Sequence, residues 1–176
     1  RLVLDGSGMI HVHADHQGVY RFNGAWVAIN NGLAPVHVTA GAGTATGLFA
    51  ATREGLYKWD EATSAWLFHH HIRSINTVLA ITFGPAGEVV AGTLNGIYRT
   101  ADGGATWVTK SSPSGAATFY GYYDLVLECA DANADNLLAG GLYVAKSTNG
   151  GTSWQTISSW SPYTAANYVH ADNHDL

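Results

Sequence analysis

The sequence predicts an all-β fold made of four repeats, each of about 40 residues. Three observations lead there. The first is a recurring phrase. Gly96-Ile97-Tyr98-Arg99-Thr100-Ala101-Asp102-Gly103-Gly104-Ala105-Thr106-Trp107 reads as a strand, a glycine-rich turn and the start of a second strand. Gly141-Leu142-Tyr143, running on to Ser147 and Trp154, repeats it, and shorter copies begin at Gly18 and Gly55. The second observation is the period: Trp26, Trp66, Trp107 and Trp154 are 40, 41 and 47 residues apart. The third is composition, with 21 glycines and only 12% charged residues. That suits strands and tight turns, and no segment of helical period competes. Four short antiparallel strands per repeat make one blade of a β-propeller.

The elements follow in order. Repeat one, about residues 1–30, holds strands at 1–4, 9–13, 18–22 and 26–29, with tight turns at Asp5-Gly6-Ser7-Gly8 and Asn23-Gly24. Repeat two, 36–71, places strands at 36–40, 47–52, 55–59 and 65–70. Repeat three, 77–111, is the most regular, with strands at 78–83, 88–92, 96–100 and 106–110. Repeat four, 123–159, places them at 124–129, 136–140, 142–147 and 154–158. The first strand of each blade, such as Val78-Leu79-Ala80-Ile81, is an unbroken apolar run, as suits a strand buried on both faces. One blade exposes two apolar faces, so the repeats must stack.

The termini look complementary. Residues 167–176 read as the opening of another inner strand, and the first strand of repeat one is a stub. Read end to start, His174-Asp175-Leu176 and Arg1-Leu2-Val3-Leu4 make one complete strand. The expectation is a split blade formed by the two termini, or continuation by another chain or copy. Starting at Arg1 with no signal peptide, the chain reads as a mature form or as a piece of something longer.

Charge and cysteine usage narrow the function classes. The net charge is −5, Lys and Arg total 8, and no basic run exists, so nucleic acid is not an expected partner. Apolar runs are strand-sized, so no membrane span is expected. Cys129, the single cysteine, excludes an internal disulfide and any CxxC site, and reads as a buried strand residue.

The turn after Thr100 has its own chemistry. Asp102 and Thr106 can hydrogen-bond the turn backbone, glycines supply positive φ, and Trp107 covers a neighbouring blade. Thr100-x-Asp102-x-Gly104-x-Thr106-Trp107 resembles the Asp-box (BNR) motif, and Ser147-x-Asn149-x-Gly151-x-Ser153-Trp154 matches it with Asn for Asp. At the level of the repeat the resemblance spans the chain, although Asn23-Gly24 and Asp60-Glu61 depart from the motif. It implies kinship with the propellers of sialidases, xyloglucan-type glycoside hydrolases, sortilin-like receptors and secreted bacterial proteins. It also implies a secreted, extracellular or periplasmic setting. In this reading Asp102, Gly104, Thr106, Trp107, Asn149, Gly151, Ser153 and Trp154 are structural.

Function is expected at the opposite ends of the strands, where loops between second and third strands join the blade-to-blade connections. All nine histidines map to or near that face. The expected ligand-binding set is His13, Asp15, His16, Tyr120, Tyr122, Trp160, Tyr163, His170, Asp172 and His174. Alternate residues of an extended strand point one way, so His170, Asp172 and His174 form a candidate divalent-metal set. By the same alternation His11, His13 and Asp15 could present ligands together. No other cofactor is expected. Exposed aromatic rings suit a glycan or protein partner. A glycoside hydrolase needs two placed carboxylates; Asp15, Asp124 and Asp172 are the candidates, and nothing singles out a pair. The Arg set does not reproduce the sialidase pattern, and no Gly-x-Ser-x-Gly elbow or phosphate-binding loop is present. The expected function is therefore a non-catalytic extracellular propeller module for protein or glycan binding or for assembly. The alternative is a fragment of an Asp-box glycoside hydrolase acting on polysaccharide.

Overall fold

The computed structural model describes the chain except residues 1, 15, 34–36, 45–46, 53, 71–77, 94–95, 103, 114–124, 131–132 and 171–176. Among the described residues, sixteen strands form four four-stranded sheets, each in simple sequential antiparallel order. Blade one contains β1 (Leu2–Leu4), β2 (Ile10–Ala14), β3 (Gly18–Phe22) and β4 (Trp26–Ala28). Blade two contains β5 (Val38–Thr44), β6 (Gly47–Thr52), β7 (Leu56–Asp60) and β8 (Ala65–His70). Blade three contains β9 (Val78–Phe83), β10 (Val89–Thr93), β11 (Gly96–Thr100) and β12 (Val108–Lys110). Blade four contains β13 (Val126–Ala130), β14 (Asn133–Gly140), β15 (Ala145–Ser147) and β16 (Gln155–Thr156). No helix occurs among the described residues, and so none is long and apolar enough to cross a membrane.

The chain divides into two compact units, Arg1–Val78 and Leu79–Leu176. In the first, blade one packs on blade two. Register puts Val3, His11, His13, Val19 and Arg21 on one face of blade one, hereafter its leading face. Val3 and Val19 meet Leu48, Ala50, Tyr57, Trp59 and Trp66 on the rear face of blade two. The inner strands approach so closely that a Cβ on Gly43 of β5 would lie 1.8 Å from the Leu4 carbonyl oxygen. Only glycine fits there.

The second unit repeats the plan. Ala80, Val90 and Ile97 of blade three pack with Leu127, Leu137 and Ala139 of blade four. Cys129 is half-buried beside this core, and its amide donates to Thr82 Oγ1 at 3.1 Å.

Two long-range contacts recur at both seams. Trp66 Nε1 donates to the Ile29 carbonyl at 2.5 Å, and Trp154 Nε1 donates to the Ser111 carbonyl at 2.7 Å. Each acceptor is the residue directly after the fourth strand of the preceding blade. Arg21 bonds Glu61 across the first seam, and Arg99 Nη1 bonds Asp135 Oδ1 at 2.6 Å across the second. Arg21 also lies over the Trp59 ring, 5.3 Å from its centroid, a cation–π contact.

One repeat is displaced from its expected place. The Gly-Leu-Tyr of blade four precedes Ser147 by two residues more than Gly96-Ile97-Tyr98 precedes Thr100. The strand expected at 142–147 is therefore only Ala145–Ser147, and Leu142 and Tyr143 lie in the loop before it. Register aligns Ala145, not Tyr143, with the Tyr98 position.

Candidate functional site

The turns after the third strands are held by side chains. Asp102 Oδ1 accepts from Thr100 Oγ1 at 2.7 Å and Thr106 N at 2.9 Å, while Oδ2 accepts from Thr106 Oγ1 at 2.5 Å. Thr100 Oγ1 in turn accepts from Gly104 N at 2.8 Å. The Thr106 hydroxyl, then the Thr106 amide and the Thr100 hydroxyl, hold the Asp102 carboxyl well below the usual range. Asn149 reproduces the arrangement without a charge. Its Oδ1 accepts from Ser147 Oγ and Ser153 N, and its Nδ2 donates to Ser153 Oγ. In blade two the motif has shrunk to Asp60 accepting from the amide and hydroxyl of Thr63.

Asp5, in the turn between β1 and β2, accepts from Ser7 N, Ser7 Oγ and Met9 N with Oδ1, and its Oδ2 lies 2.8 Å from His11 Nε2. Burial alone would raise the Asp5 carboxyl. The Ser7 hydroxyl, the His11 ring and the two amides outweigh it and hold the group well below its ordinary value. His11 is the exception to the expected histidine face. It shares a sheet face with His13, as alternation requires, but its buried ring reaches toward the opposite loop end, where Asp5 holds it.

The other end of the first unit carries His13, His16, His37 and His69. Gln17 N donates to the Ala14 carbonyl, closing the turn from β2 to β3. His16 sits in that turn at φ 58°, the left-handed region. Its ring stacks on His37 with centroids 4.2 Å apart and planes inclined by 37°. Asn30 staples this turn to the exit of blade one, accepting from Val19 N and donating to the Gln17 carbonyl. The His13 ring lies against Gly41. The His69 ring lies tilted against Phe49, with centroids 5.5 Å apart; burial, and then the charge of Lys58, keep its imidazole below the ordinary value.

In the second unit, the segment after β16 folds back on itself. Ser159 N donates to the Asn167 carbonyl, Val169 N to the Ser159 carbonyl, and Asn167 Nδ2 to the Ile157 carbonyl. Ser159 and Tyr168 form a parallel bridge. The fixed loop presents Trp160 at 44% exposure and Tyr163 at 80%, with Tyr168 and His170 also exposed. Trp160 Nε1 donates to Tyr143 Oη at 3.0 Å. Tyr143 was not among the expected site residues. Its offset from the repeat, visible in the sequence, is the signal that freed it.

Several expected site residues lie outside the described residues: Asp15, Tyr120, Tyr122, Asp124, Asp172 and His174. The structure thus brings His16 to His37, which was not in the expected binding set, and Trp160 to Tyr143. Among the described residues no three His, Cys, Asp or Glu side chains gather as metal ligands. Asp5, Asp60, Glu61, Glu88, Asp102 and Asp135 are each engaged in a turn or an ion pair.

No protein-family model matches the chain, and no curated protein matches it. Solved structures do. An ancestral GH74 enzyme aligns over 96% of this chain and 25% of its own, at 20% identity and a TM-score of 0.60. The GH74 xyloglucanase from Xanthomonas campestris aligns over 89% of this chain and 30% of its own, at 15% identity and a TM-score of 0.65. YCF48 bound to D1 peptide aligns over 86% and 50%, at 20% identity and a TM-score of 0.58. These likenesses establish the β-propeller fold. The chain spans between a quarter and a half of the length of these three proteins.

Proposed function

We propose that this chain belongs to an extracellular Asp-box propeller that acts as a non-catalytic binding module for a glycan or a protein. The observation that carries the reading is the loop after β16. Its backbone is fixed by its own hydrogen bonds, and it holds Trp160 and Tyr163 outward. Rings fixed before binding lose little entropy when a partner stacks on them. They suit the flat apolar face of a sugar or a peptide side chain. The Asp102 and Asn149 turns support the Asp-box assignment, since both use the motif residues as the motif requires.

On this reading His13, Asp15, His16, Tyr120, Tyr122, His170, Asp172 and His174 complete the binding surfaces. His170, Asp172 and His174 are the divalent-metal candidates, and the closing strand at residues 167–176, or a second copy, completes the blade set. The likeness to a xyloglucanase makes xyloglucan oligosaccharides the first probe, and the likeness to a peptide-bound propeller makes short peptides the second. Titration followed by tryptophan fluorescence should show saturable binding, lost in Trp160→Ala and Tyr163→Ala. Binding that survives both substitutions would remove the loop from the site.

A second reading, part of a glycoside hydrolase, draws on the GH74 likenesses. It requires two carboxylates about 5–10 Å apart, drawn from Asp15, Asp124 and Asp172 or supplied by a longer protein. Release of reducing ends from xyloglucan, abolished by Asp124→Asn or Asp15→Asn, would favour it over the binding module.

A further inference from the structure

The rear face of blade one carries the same elements as the covered rear faces of blades two and four. Trp66 lies across the sheet from Trp59, and register places Trp154 across from Ser147 and Trp26 across from Phe22. These are equivalent positions. Trp66 is 2% exposed beneath blade one. On blade one itself the rear face is bare: Leu2 is 66% exposed, Leu4 61% and Trp26 49%, with Ile10 and Phe22 beside them. Such a contiguous apolar face marks an interaction surface.

The chain shows twice what covers a rear face. It is the leading face of a preceding blade, which offers the carbonyl just past its fourth strand to the indole N–H and a cation from its third strand. Blade four offers both. Lys146 stands at the position of Arg21 and Arg99 and is exposed, as is Gln155 beside it. Ile157, the residue after β16, is 40% exposed. Its carbonyl accepts from Asn167 Nδ2, and a carbonyl oxygen has a second lone pair. We infer that the rear face of blade one docks the leading face of blade four from a second copy of this chain, with Trp26 donating to the Ile157 carbonyl. This deepens the assembly part of the proposed function and is independent of ligand binding at Trp160.

The test is the molar mass of the whole chain by sedimentation over a range of concentration. Concentration-dependent association is expected. Trp26→Ala and Leu4→Asp should weaken it at least tenfold, as should Ile157→Asp on the opposite half, while circular dichroism stays native. The seam is head to tail, so a mixture of Leu4→Asp with Ile157→Asp should form a one-to-one heterodimer that neither forms alone. Three results overturn the inference. One is a monomer at all concentrations, including one whose Trp26 is shielded from quencher by closure within the chain. Another is self-association that Trp26→Ala and Leu4→Asp leave unchanged. The third is self-association lost with Leu4→Asp but not with Ile157→Asp, which means rear face on rear face. Ligand titration of Trp26→Ala separates a failure here from a failure of the binding loop.

Discussion

The seam between blades one and two and the seam between blades three and four use the same two cross-blade contacts on different turns. In the second unit, Trp154 ends a complete motif in which Ser147, Asn149 and Ser153 bind one another. In the first, Trp66 ends a turn where only Asp60 and Thr63 remain of that network. Yet both indoles donate to the carbonyl directly after the preceding blade, and both blades send an arginine to a carboxylate. The seam is the same where the motif is incomplete. What the two seams share is the placement of the Trp and of the cation that crosses between the blades, and the complete Asp-box-like turn is one of two ways to achieve it.

The largest break in this comparison should come from the buried indole. Trp66→Ala should cost about 3–5 kcal/mol in urea denaturation, and Trp154→Ala less, because Trp154 is only partly buried. Next comes Gly43→Ala, whose methyl would press on the Leu4 carbonyl; overpacking of this kind costs about 1–3 kcal/mol. Arg99→Ala should cost about 1 kcal/mol, since Asp135 is half exposed and solvent screens that pair, while the second carboxylate, Glu88 at 3.7 Å, keeps its bond from the Ala86 amide. High salt should shrink that difference.

Acid distinguishes the seams in another way. Among the described residues only the first has a His–Asp pair with the ring buried. Asp5 is depressed in the folded state, so its contribution is present above the unfolded carboxylate value of about 4 and is lost as pH falls toward the folded value. Thermal melts between pH 7 and pH 2 should fall less steeply in Asp5→Asn than in the parent. The smallest effect is expected at Asp102. Asp102→Asn should melt close to wild type because Asn149 already does the same work, whereas Asp102→Ala loses the three bonds that the carboxylate accepts from Thr100 and Thr106 and should melt lower.

The strand plan was legible because each strand is bounded by local glycine and polar turns. β3, β8, β9 and β11 begin and end where the sequence puts them. The seams were legible in part, since the tryptophan period marks which residues recur but not which carbonyl each one meets. Acceptors at Ile29 and Ser111 lie 37 and 43 residues from their donors, and no local pattern encodes such pairs. Phase errors had the same origin. The Gly-Leu-Tyr of blade four looks like its neighbours, but two extra residues put Tyr143 in a loop beside Trp160. Chain position gathers the histidines at one end of the strands, but it does not encode that the His11 ring turns back to Asp5.

The claim that the seam rather than the turn organises the repeat is tested most directly by four variants under one set of denaturation conditions. Trp66→Ala and Asp60→Ala probe the first unit, and Trp154→Ala and Asn149→Ala the second. In both units the tryptophan variant should lose more stability than the turn variant, with the wider gap in the first. Turn variants that cost as much as the tryptophan variants, in either unit, would contradict it.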